Sequence, residues 1–212
     1  MSGPTDNLDA ISEQVRNNLT AKDKAREAML PMSREAIRCC SEAIRAVHRQ
    51  EIEKSRRLLE SAAGLLKECE TALAGSPELV NTGSLRDAQK EYVEGCAVLS
   101  IVTGQLLPTP EELGVDSASY LNGLGEAASE LRRYLLDGMR KGDLSQGEAL
   151  LTAMDDIYSV LVTIDFPDAV TGGLRRTTDM LRGVLERTRS DLTLVMTQQD
   201  LAARLEKVEK RL

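Results

Sequence analysis

Aromatic side chains are scarce in this chain of 212 residues: they make up 2% of it, with one Phe, four Tyr and no Trp. That excludes the ring platforms on which RRM and OB sheets stack splayed bases, so any affinity for nucleic acid has to come from phosphate contacts. Positive charge is also in deficit. The formal net charge is −7, which excludes a generally basic surface and demands locally segregated cations wherever a polyanion is held. Four cysteines, Cys39, Cys40, Cys69 and Cys96, show neither CxxC spacing nor the density of a secreted disulfide scaffold, and they read as buried thiols of a reducing cytoplasm. With only one histidine, zinc sites built from Cys and His clusters are excluded, as are di-iron bundles that need Glu-x-x-His pairs. GxSxG, Walker-type and HExxH motifs are absent, which removes the nucleophilic hydrolase, NTPase and zinc-protease readings. No apolar run approaches membrane-spanning length, and the start of the chain carries Asp6, Asp9 and Glu13 in place of a basic leader. A cytoplasmic protein without a membrane partner is therefore expected.

Helix-forming residues dominate what remains. The chain is 42% apolar and 29% charged, and Gly and Pro gather at a few joints. Apolar periodicity predicts a first stretch from about Leu8 to Arg49, either one helix kinked at Pro31 or two in succession. Further helices are expected from about Glu51 to Leu73, Ser84 to Gln105, Asp116 or Ser117 to Arg140, Ser145 to Ile164, and Gly173 through Leu205. The signals between them are Gly75-Ser76-Pro77, Asn81-Thr82-Gly83, Pro108 with Pro110, Gly142, and Pro167 with Gly172-Gly173. Neither strand alternation nor a repeat of solenoid length is present. The expected fold is all-α, with residues 1–212 forming one bundle of six to seven helices.

Two patterns carry chemistry. On the helix from residue 33 to 49, Arg34, Arg38, Arg45, His48 and Arg49 fall in one sector at about 100° per residue, beside an apolar sector of Ala36, Ile37, Cys40, Ala43, Ile44 and Val47. Planar guanidinium forks suit phosphate, so this stripe is a candidate RNA-backbone track. The same spacing also fits a solvated face neutralised by Glu35, Glu42, Glu51 and Glu53.

The second pattern is acidic. Glu91 and Glu94 stand three apart, which sets their side chains about 5 to 6 Å apart at Cβ, and Val93, Cys96, Leu99 and Val102 place that pair at the margin of a core. Glu126 and Glu130 stand four apart on a later helix, with Leu124, Ala128, Leu131 and Leu135 roughly opposite, so periodicity alone turns them toward water. Four convergent carboxylates would suit a hard dication, Mg²⁺ or alternatively Mn²⁺.

The run from Ser33 to Arg38, continued from Ala43 to Arg49, resembles the early helical segment of translin/TRAX proteins. Gln89 to Gly95 is similar to the family's QEYVEA-like segment, and Tyr120 to Arg132 to its YLLGVADLTGEL-like helix. The resemblance spans about residues 20 to 195 and rests on the order and spacing of short motifs. It implies catalytic and metal-binding roles for Glu91, Glu94, Glu126 and Glu130, with Glu126 standing where the family motif has Asp and with Lys90 inserted before Glu91. It also implies a homo-oligomer, an octamer by analogy, with an acidic site facing the interior of a closed shell. The activity implied is Mg²⁺-dependent endoribonuclease cleavage of single-stranded RNA, with tolerance for DNA left open. The alternative is a non-catalytic oligomer binding single-stranded RNA or DNA, as the inert translin-type subunit suggests. A structural oligomer joined by salt bridges between its stripes is a third reading.

Overall fold

The computed structural model describes residues 3–79 and 83–210. Eight α-helices and one 3₁₀ turn are formed among them, with no strand: α1 (Leu8–His48), α2 (Ile52–Leu73), the 3₁₀ turn Pro77–Leu79, α3 (Gly83–Val102), α4 (Pro110–Leu113), α5 (Ser117–Arg140), α6 (Gly147–Leu161), α7 (Asp168–Thr171) and α8 (Leu174–Glu209). The all-α expectation holds, and the six long helices lie where periodicity placed them. The one-turn helices α4 and α7 sit inside the proline-marked joints. Asn81 and Thr82 of one expected turn lie outside the described residues.

Pro31 does not divide α1, which runs unbroken for 41 residues. A proline in a helix interior removes the donor to the carbonyl four residues back. Here Pro31 and Glu27 are both exposed, so the deprived carbonyl is on the solvent side. The core begins on either side of it, at Met29 and Ser33, and continues through Ala36, Cys40, Ala43 and Val47, the apolar sector seen in the sequence. α1 turns into α2 through Gln50, which takes a left-handed conformation with φ 63°.

Helices α1 and α2 form a hairpin that packs on α3, α3 packs on α5, and α5 in turn packs on α6 and α8. The α3–α5 pair is thus the seam of one continuous core. Asp116 caps α5 by accepting from the Ser119 amide at 2.9 Å. Buried Asn122 donates to the Ala118 and Thr171 carbonyls and accepts from the Thr177 hydroxyl, tying α5 to α7 and α8. Two glycines set the approach of the neighbouring helices. A Cβ at Gly123 would stand 2.6 Å from Val93 Cβ and 2.7 Å from the Lys90 carbonyl oxygen, and one at Gly125 would stand 2.4 Å from Thr177 Cγ2. α5 is therefore pinched between α3 and α8 at the turn that precedes Glu126.

The outer ends of the two longest helices are bare. Leu8, Ile11, Val15 and Leu19 of α1 and Leu194, Leu201, Leu205 and Val208 of α8 are exposed and spaced along one side of each helix. No described helix is long and apolar enough to cross a membrane.

Gly123→Ala is expected to lower stability by roughly 1–3 kcal/mol, the usual cost of overpacking. Gly64→Ala, on the exposed side of α2 where an added Cβ meets nothing within 4 Å, is expected to raise it by roughly 0.5–1 kcal/mol through helix propensity. Denaturant midpoints of the two variants, moving in opposite directions, check the assignment.

Candidate metal centre

The pinched seam brings acids from α3 and α5 face to face. One carboxylate oxygen from each of Glu91, Glu94 and Glu126 lies within 4.8 Å of the others. Glu126 therefore does not point outward as periodicity alone suggests: α3 covers that side of α5, and its side chain is 31% exposed. The same holds for Glu130, at 18%. The shielding comes from a helix of the same chain and needs no second subunit.

Glu130 belongs to a neighbouring network. Its Oε1 meets His48 Nε2 at 2.7 Å and Arg133 Nη1 at 3.2 Å, while His48 Nδ1 meets Asp137 Oδ2 at 3.1 Å. The last turn of α1 is thereby bound to α5 at two points two turns apart. Lys90 is an ion-pair partner of Glu126, Nζ to Oε1 at 2.9 Å. Glu126 and Glu130 thus each carry a cation contact, and none is formed by Glu91 or Glu94 among the described residues.

That inequality shows in the protonation equilibria. Burial pushes Glu94 up from 4.5 to about 8, with repulsion from Glu91, Glu126 and Glu130 acting in the same direction. Glu91 is also raised, first by burial and then by the negative charge of Glu126. For Lys90 burial opposes the charge, but the bond to Glu126 and the fields of Asp87 and Glu91 outweigh it, and the ammonium is held above its ordinary value. Close carboxylates that resist ionising together are a site short of positive charge. An all-oxygen, half-buried donor set of this kind fits a hard dication such as Mg²⁺ or Mn²⁺. The thiols below it are unsuited to the task, since burial raises Cys40 strongly and Cys96 to about 12.

No protein-family model matches the chain. An uncharacterized protein of Methanocaldococcus jannaschii is 32% identical to it over 195 residues, covering 91% of this chain and 86% of that protein. Among solved structures, AfC3PO in a duplex RNA complex gives a TM-score of 0.81 at 34% identity, covering 88% of this chain and 96% of that one. AfC3PO on its own gives the same score and identity and is covered to 97%. C3PO is a translin/TRAX assembly. The chain belongs to the translin/TRAX family. The structure of apo-NeC3PO, at 22% identity and a TM-score of 0.75 over 92% of this chain and 100% of that one, shares the fold.

Of the four glutamates singled out in the sequence, Glu91, Glu94 and Glu126 are brought together. The rest of the sequence-derived set is distributed differently. His48, whose side chain is only 8% exposed, is turned inward to Glu130 and Asp137 and away from the arginine stripe. Arg38 is exposed but engaged by Glu35 and Glu42 of its own helix, as the solvated-face reading anticipates. Arg34, Arg45 and Arg49 are exposed and form no ion pair among the described residues. Sequence reasoning passed over Lys90 as a partner of Glu126 and did not include Asp137. The seven-residue step from Glu130 to Asp137, two turns along one helix face, was the available signal for the latter.

A stability profile follows from Glu94. Its folded-state value lies above the ordinary one, so the stabilisation tied to its proton is complete below about 4.5 and is lost as pH rises through about 8. Thermal midpoints measured in chelator should fall across that interval. Glu94→Gln should flatten the fall, and added Mg²⁺ should lessen it.

Proposed function

We propose that this chain is a metal-dependent endoribonuclease that cleaves single-stranded RNA at the Glu91–Glu94–Glu126 cluster. The observation that carries the reading is the packing of three half-buried carboxylates within 4.8 Å, with Glu94 raised to about 8. A dication bound among them would offset the repulsion that this packing creates. The RNA complex of AfC3PO, at 34% identity, supports RNA as the ligand.

In this reading Glu91, Glu94 and Glu126 hold Mg²⁺, with Mn²⁺ as a substitute, and Glu130 borders the site as the fourth carboxylate. A dication bound there supplies charge neutralisation at the scissile phosphate and a lowered pKa for an attacking water. His48 and Arg133 fix the orientation of Glu130 from outside the cluster. Lys90 holds one oxygen of Glu126 and leaves the other for the cation. On α1, Arg34, Arg45 and Arg49 present uncommitted guanidiniums to the RNA backbone, with Arg38 and His48 held by their carboxylate partners at the edge of that track. The assembly is a homo-oligomer, an octamer by family analogy, and the bare apolar stripes at the ends of α1 and α8 supply surface for it.

A nuclease assay on fluorescent single-stranded RNA tests the reading. Cleavage should require Mg²⁺ or Mn²⁺, stop with EDTA, and be lost in the Glu91→Ala, Glu94→Ala double variant while RNA binding persists. Binding without cleavage in any metal would instead identify the chain as the inert, nucleic-acid-holding kind of subunit. Arg45→Ala combined with Arg49→Ala should weaken RNA binding and reduce the slope of log K against log salt by about one for each phosphate no longer neutralised. An unchanged slope would remove these arginines from the track.

A further inference from the structure

Beside the glutamate cluster opens a cleft of about 400 Å³, walled by Arg86, Lys90 and Glu126 on α3 and α5 and by Gly173 and Arg176 at the start of α8. Glu126 therefore belongs both to the acidic cluster and to this cleft. Their charge is of opposite character: the cleft carries three cations, Arg86, Lys90 and Arg176, against the two acids Asp87 and Glu126. Lys90 is already paired with Glu126, but neither Arg86 nor Arg176 has a carboxylate partner among the described residues.

Three details point to an anion. Arg86 has its Nε enclosed and without a hydrogen-bond partner, an arrangement that is costly for a charged group left unmatched. Its Nη1 lies 3.5 Å from the position a Cβ on Gly172 would take, which puts the guanidinium at the α7–α8 joint. Gly173 precedes the first residue of helix α8, with φ 89° and no side-chain cap, and an added Cβ there would meet nothing within 4 Å. The start of a long helix, whose partial positive charge favours anions, therefore lies beside two unmatched guanidiniums.

We propose that this cleft binds a phosphodiester of the RNA strand immediately beside the glutamate cluster, through Arg86, Arg176 and the first turn of α8. The identity of the ligand as RNA rests on the function proposed above. Arg86, held at the base, supplies a planar fork that can take two phosphate oxygens, and Arg176 closes over them from the rim. Lys90 stands at the boundary, where its ammonium separates the anion of the cleft from the carboxylates. An RNA strand lying across the seam then meets a positive pocket and an acidic, cation-binding pocket side by side, which fixes which linkage faces the glutamates.

The test uses the full-length protein in its native assembly, with a short fluorescent single-stranded RNA in EDTA so that binding is read without cleavage. Arg176 is exposed, so Arg176→Ala leaves the core intact; Arg86→Lys keeps the charge and removes the fork. Each is expected to weaken binding about tenfold, the effect of removing a charge-assisted hydrogen bond to phosphate, and Arg176→Ala to lower the salt slope by about one. An RNA with a single neutral methylphosphonate linkage should lose affinity for the parent protein at one position of the linkage, and Arg176→Ala should erase that positional loss. Affinity, slope and methylphosphonate response all equal to the parent's in both variants would overturn the proposal, even with cleavage intact. Loss of affinity in the variants of a protein that cleaves nothing would uphold the cleft and sink the nuclease reading. Mn²⁺ binding to the glutamates, unchanged in Arg176→Ala, separates the two pockets.

Discussion

Negative charge crowded into the seam between α3 and α5 is the constraint around which this protein is arranged. Glu91, Glu94 and Glu126 come together because two helices touch at a glycine, and that contact leaves the carboxylates half out of water with too little positive charge among them. The surroundings act to contain the repulsion. Lys90 takes one oxygen of Glu126, and Glu130 is drawn aside by His48 and Arg133. Asn122 ties the start of α5 to α7 and α8 through Thr171 and Thr177.

The two chemical surfaces of the molecule follow from the same packing. A face that holds a dication has to be acidic, and a face that holds a polyanion has to be basic. In a chain with a net charge of −7 the cations must be gathered locally. They are gathered on exposed turns of α1 and at the start of α8, on either side of the acidic seam in the chain's order.

Most of the fold was legible because long helices announce themselves by period. The six long helices and their joints follow from apolar spacing with Gly and Pro punctuation, and the core sector of α1 was readable residue by residue. Pro31 was ambiguous because a proline's effect depends on whether the freed carbonyl meets solvent, which is a tertiary fact. The helices α4 and α7 are single turns, too short for periodicity to register, although the capping box of Thr109 and Glu112 marks the first of them. In the site, spacing within a helix paired Glu91 with Glu94 and Glu126 with Glu130. It could not tell that α3 would cover α5, so Glu126 looked solvent-facing. The links from His48 to Glu130 and Asp137, and from Lys90 to Glu126, join helices far apart in sequence, where periodicity carries no information.

Position 123 has an unusual standing among the residues of the seam. Of the two residues that a side chain there would strike, Val93 is met through its side chain and Lys90 through its main chain. Only glycine at 93 would remove the first collision, since the atom struck is Val93 Cβ. Nothing done to side chains removes the second, because every amino acid brings the same carbonyl. Drift elsewhere in the molecule can be matched by compensating drift in a neighbour, but at this point the backbone itself is the neighbour. A side chain at 123 is therefore accommodated only by moving the α3 backbone away from α5, which widens the acidic seam itself.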